Sequence, residues 1–201
     1  MKDYPDYALA YAGLADCWRR RGDLDRALAA AEHSYALEPQ VGRFALLMTR
    51  FARGEDALDL FVQEAESGVR PGGRGFWPAY AEALSRAGRR DEVRVRLARL
   101  TDDWPTEPFA WSERALALCA TPGATDEDRN VALQCAQRSV ELSNRQGPVM
   151  LAALAEAHFQ SGDGPAAVAA IDACLQVMAG RNAEWLTLTD AQSRRQRYLG
   201  R

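Results

Sequence analysis

Residues 11–39 read YAGLADCWRRRGDLDRALAAAEHSYALEP, and this stretch decides the fold. Tyr11, Leu14 and Trp18 fall three and four residues apart. That spacing makes one apolar stripe on a helix, with the small Ala15 set inside it. Gly22 then breaks the pattern, because glycine takes the left-handed conformation that ends a helix at little cost. Asp23 follows as an N-cap. Ala27 and Ala31 carry the stripe of a second helix, which Pro39 stops. Two helices joined by a tight turn are expected, with small residues where they approach closely.

The same punctuation recurs along the chain. Gly54, Gly88 and Gly162 sit in FARGEDALDL, SRAGRRDEVR and FQSGDGPAAV. From Gly22 to Gly54 is 32 residues, from Gly54 to Gly88 is 34, and Gly162 follows after two more periods plus an insertion. The stripes follow the same register. Trp77, Tyr80, Ala81 and Leu84 precede Val93 and Leu97; Trp111, Ala115 and Leu118 precede Ala132 and Ala136. Leu151, Leu154, Ala155 and His158 precede Ala167 and Ile171. Val41, Phe44, Ala45 and Met48, before Ala57 and Phe61, form a degenerate version with a shortened turn.

A period near ~34 residues with this pattern of large and small positions resembles the tetratricopeptide repeat family. The resemblance spans residues 6–178 and implies an all-α solenoid of about five antiparallel helix hairpins, at 8–40, 41–69, 74–107, 108–145 and 148–178. Two segments depart from it. SGVRPGGRG at 67–75 is a Gly-rich connection, and TPGATDE at 121–127 lengthens a turn. Both are open to two readings, tolerated insertions or contact loops. Thr125 with Asp128 is expected to form a capping box. The tail at 183–199 is expected to be a capping helix, with Trp185, Leu186, Leu188 and Tyr198 covering the last hairpin; a docking helix for a partner is the alternative.

Composition narrows the function. The chain of 201 residues has 25 basic and 28 acidic residues. No basic excess points to nucleic acid or an anionic membrane. No apolar run approaches the ~18 residues of a membrane span, and MKDYPDYALAYAG lacks the core of a signal peptide. Lys2 is the only lysine and Ile171 the only isoleucine, a bias expected of a GC-rich bacterial genome. The abrupt start, almost inside a helix, suggests a piece of something longer. Cys17, Cys119, Cys135 and Cys174 lack C-x-x-C spacing and are expected to be buried thiols in a reducing cytoplasm.

Chemistry finds no residue set. His33 and His158 lie in different repeats without metal spacing, and no phosphate loop or G-x-S-x-G occurs. No enzyme activity and no cofactor or metal is expected. The resemblance instead implies a concave groove lined by the first helix of each hairpin. The positions mapped onto it are Asp16, Arg19 and Arg20; Thr49 and Arg50; Glu82 and Arg86; Phe109, Ser112 and Leu116; and Glu156, Phe159 and Gln160. Arg20, Arg50 and Arg86 end three successive first helices. Such a row suits an acidic ligand, though cations are favoured at helix C-termini without one. Lys and Asn of the chaperone-tail clamp are replaced by Ala12, Asp16 and Glu82, which argues against that ligand.

The expected function is a protein-binding scaffold, resembling the repeat regions of bacterial signalling proteins, that holds a partner's peptide or helix. Neither nucleic acid nor membrane is expected as a partner. A self-associating or complex-tethering role, with homo-oligomers, is the alternative.

Overall fold

The computed structural model describes residues 7–66, 76–179 and 188–200. The described residues form helices and turns without a strand. In chain order the helices are α1 (Ala8–Arg20), α2 (Leu24–Leu37), α3 (Pro39–Ala52), α4 (Leu58–Glu66), α5 (Phe76–Arg86) and α6 (Arg90–Asp103). They continue with α7 (Pro108–Ala120), α8 (Asp126–Leu142), α9 (Pro148–Gln160), α10 (Gly164–Ala179) and α11 (Leu188–Leu199). The all-α class is as expected. The chain divides into two compact units, residues 1–83 and 84–201. The connection at 67–75, and Trp185 and Leu186 of the expected cap, lie outside the described residues.

The turns follow from a few backbone bonds. Gly22, Gly54, Gly88 and Gly162 all have φ between 74° and 83°. The residue after each donates its N–H five residues back, as Asp23 does to the Trp18 carbonyl and Asp163 to that of His158. This is a Schellman ending, and glycine takes the left-handed position without a Cβ penalty. The next helix is then capped: Asp23 accepts from Arg26 N–H at 3.2 Å and Asp163 from Ala166 N–H at 3.0 Å. Pro39, Pro108 and Pro148 stand in the first turns of α3, α7 and α9, where a missing N–H costs nothing.

In residues 1–83, α1 packs on α2, α2 on α3, and α1 on α3. Ala15, Ala31 and Leu46 form one core, with Ala15 and Ala31 fully buried. A second core is aromatic. Phe61 stacks on Tyr80 at 5.7 Å and meets Phe51 and Phe76 at 5.5 Å each. Burying a side chain the size of Phe61 stabilises by about 2–3 kcal/mol.

In residues 84–201, α7 packs on α8, α8 on α9, α9 on α10, α7 on α9, and α10 on α11. The lengthened turn at 121–127 is pinned to α6. Arg90 donates to the Pro122 carbonyl at 2.7 Å, and Arg94 forks onto Asp128 at 2.8 and 3.1 Å. The Thr125–Asp128 capping box forms as expected. Burial would push the Asp128 carboxyl up, but Arg94 and Thr125 together hold it below the ordinary carboxylate range. The cysteines correct one expectation. Cys135 and Cys174 are buried, whereas Cys119 is half-buried and Cys17 is exposed. Cys17 falls one residue off the Tyr11–Leu14–Trp18 stripe, which turns it outward.

Candidate functional site

The faces of interest lie on the first helix of each hairpin. On α1, Asp16 pairs with Arg19 and with Arg20, whose Nε is 2.8 Å away. The Arg20 side chain is 59% exposed, so its charge is still presented to solvent. On α3, Arg50 Nε lies 4.0 Å from Glu55 across the turn. Both arginines occupy last turns, where helix carbonyls favour a cation. The two helices pack side by side. Thr49 is not available to a ligand: it is buried, and its hydroxyl donates to the Ala45 carbonyl at 2.7 Å. On α5, Glu82 is half-buried and Arg86 exposed.

In residues 84–201 the equivalent faces are on α7 and α9. Ser112 is buried and donates to the Phe109 carbonyl at 2.9 Å, so it too lines no open surface. Phe109 and Leu116 are half-buried, and Phe109 packs against the core shared by α9, α10 and α11. Burial pushes the Cys119 thiol up to about 12, with the Glu156 carboxylate opposing its ionisation.

The face of α9 is covered by α11. Val149, Ala152 and Phe159 of α9 join Ala191 and Tyr198 of α11 in one core. The Phe159 and Tyr198 rings are 4.7 Å apart, and Arg197 lies over Phe159 at 5.0 Å. Glu156 is the polar centre. It is 9% exposed and accepts from Tyr198 Oη at 2.9 Å, from Gln160 Nε2 at 2.9 Å and from Arg197. Arg194 stands 3.7 Å away. Burial alone would push Glu156 up, but Gln160, Arg197, Tyr198 and Arg194 hold it below the ordinary range. Arg195 adds a pair with Asp172 of α10 at 2.5 Å.

Glu156 and Phe159 were expected on an open groove and are instead closed over, while Gln160 remains exposed at the edge. Tyr198 is buried in one core with residues of α9 and α10. The arginines at 194, 195 and 197 were missed as partners of the site. The spacing of Arg194 and Arg195, four and three residues before Tyr198, was the available signal.

Among the described residues, no three His, Cys, Asp or Glu side chains converge as a metal-holding group. No described helix is long and apolar enough to cross a membrane. No family model matches the chain, and neither does any curated protein. One solved structure, described as YrrB, a TPR protein with an unusual peptide-binding site, aligns with a TM-score of 0.44 at 13% identity, over 96% of this chain and 95% of that one.

Proposed function

We propose that this chain is a non-catalytic scaffold that holds a helix or extended peptide of a partner protein against the first helices of its hairpins. The observation that carries this reading is the seat of α11. A first-helix face, that of α9, holds an amphipathic helix by one buried carboxylate, two arginines and a tyrosine tilted against Phe159. Helix-in-groove recognition uses these same elements, with apolar anchors for affinity and charge for register. The face of α1 and α3 carries the complementary chemistry, with exposed Arg20 and half-exposed Arg50. We read its partner as acidic, a carboxylate displacing Asp16 or Glu55 from their arginines. Arg86 is assigned to the same class of contact. The setting we assign, a regulatory module of a bacterial signalling protein in the cytoplasm, rests on the sequence resemblance.

Affinity capture from the source cells with the intact chain, beside an R20Q/R50Q/R86Q variant, tests the reading. A protein recovered by the first and lost from the second, and then shown to bind in purified form with a salt-sensitive affinity, is the expected result. Equal recovery by both would place the binding face elsewhere. Sedimentation over a range of concentrations separates the self-associating alternative, which requires dimers or larger species.

A further inference from the structure

Helix α11 lies along α10, where Arg195 holds Asp172 at 2.5 Å, and it reaches α9 through long side chains. Two of these, Arg197 and Tyr198, meet one oxygen of Glu156, and Arg194 stands 3.7 Å from the same atom. Gln160 takes the other oxygen at 2.9 Å. Around Glu156 the α9 face is apolar, with Val149, Ala152 and Phe159 in the shared core. A permanent cap gains little from a carboxylate at this place. Taking an ion pair out of water costs solvation that its attraction only partly returns, so a hydrophobic residue would hold a cap at least as well. What charge adds is selection among partners and a fixed register.

The attachment is also reversible in its parts. Arg194 and Arg195 are half-buried and Arg197 is exposed, so water reaches each of them while the helices stay packed. Their contacts can therefore pass to another helix one at a time. The seat dictates what that helix carries. The Glu156 carboxylate calls for an arginine, whose planar fork fits it. Asp172, with 39% of its side chain exposed, calls for a second cation. Phe159 calls for an aromatic ring, as Tyr198 places one 4.7 Å away. In α11 the two cations Arg194 and Arg195 stand four and three residues before that ring, one helical turn away.

We propose that the face of α9 and α10 is the docking site of a basic amphipathic helix of a partner protein, with arginines one turn before an aromatic residue, and that α11 is a built-in competitor which this helix displaces. The inference rests on the scaffold reading, but it gives this face a basic partner, where the face of α1 and α3 takes an acidic one. A face that is open for only a fraction of the time binds its partner more weakly by that fraction. Loosening α11 therefore strengthens the partner's binding. A purely structural cap would have the opposite effect, because loosening it would only weaken the seat.

A fluorescein-labelled peptide of residues 188–200, LTDAQSRRQRYLG, is the probe, titrated with the intact chain and read by anisotropy. The unaltered chain is expected to bind it weakly. Arg197→Gln with Tyr198→Phe, made in the chain and not in the peptide, should tighten binding about tenfold or more, as loss of two contacts to a buried charge requires. Adding Glu156→Gln to that loosened chain should remove the gain. Arg195→Gln in the chain, a milder change at the rim, should tighten binding by a smaller factor and serves if the double variant does not fold, which thermal melts establish. Equal binding by intact and loosened chains, or a gain that survives Glu156→Gln, would overturn the proposal. So would a loosened chain that sediments as a dimer and excludes the peptide, since the face would then belong to a second copy. The capture experiment depends on the arginines of α1 and α3, which a basic peptide does not engage, so either test can fail while the other stands.

Discussion

Gly42 stands in the first turn of α3, where that helix meets the end of α2. An ideal Cβ placed there falls 2.2 Å from the Tyr35 backbone nitrogen and 2.4 Å from its Cα. Helix propensity alone favours alanine over glycine by about 1 kcal/mol. The steric contact outweighs that preference, because main-chain atoms inside two packed helices cannot swing aside as a side chain can. Overpacking of this kind costs about 1–3 kcal/mol. Gly42→Ala is therefore expected to destabilise residues 1–83, despite the better propensity, and urea unfolding would read the loss as a lower midpoint. A neutral or raised midpoint would mean that α2 and α3 can separate freely. The stripe of Val41, Phe44, Ala45 and Met48 hid this residue. Ala45 occupies the expected small position, yet it is half-buried, and α2 comes close against Gly42 instead. A pattern of types marks which face is buried, whereas the point of nearest approach depends on the crossing of two helices.

Glycine endings and aspartate caps are properties of three or four consecutive residues, and for that reason the turns at Gly22, Gly54, Gly88 and Gly162 could be read directly. The attachment of α11 is a tertiary property: of the four residues expected to cover the last hairpin, Tyr198 is the one whose burial is described. Its energetics are polar: between Asp190 and Leu199, only Ala191 and Tyr198 are buried. Removing the Glu156 charge leaves two arginines without their counter-ion, so Glu156→Gln is expected to loosen α11 by about 2 kcal/mol. The pH dependence follows from the two shifts. Glu156 is held below its ordinary value of 4.5, so its contribution is complete above that pH and is lost as acid drives it through its lowered value. Burial, with Glu156 beside it, pushes the Tyr198 phenol up from 10.0 to about 12. Its contribution is complete below pH 10.0 and disappears as the pH rises towards about 12. Hydrogen exchange of the α11 amides, corrected for the intrinsic pH effect, should show a plateau of protection falling at both ends. Glu156→Gln should flatten the acid limb and Tyr198→Phe the alkaline one. Protection that ignores both substitutions would show that apolar burial alone holds the helix.

Burial is distributed unevenly over the whole molecule. Ten of the thirteen residues of α9 are buried, and α9 packs on α7, α8 and α10 as well as sharing a core with α11. Helix α6 buries four of its fourteen residues and keeps Val95 69% exposed. In an array of hairpins each element is supported chiefly by its neighbours, so local stability tracks the number of sides covered. The order of opening is then fixed within residues 84–201. Helix α11 opens first, because it is covered on one side and held by charge. Helix α6 follows, since the Arg90 and Arg94 contacts to the 121–128 segment are exposed or half-exposed. Helix α9 opens last, with the global unfolding of its unit. Native-state hydrogen exchange at increasing urea should recover that order, with α9 amides converging on the global free energy and α11 amides insensitive to low denaturant. Simultaneous exchange of all three helices would instead make the unit a single cooperative block, in which α11 could not leave the face of α9 without unfolding α9 itself.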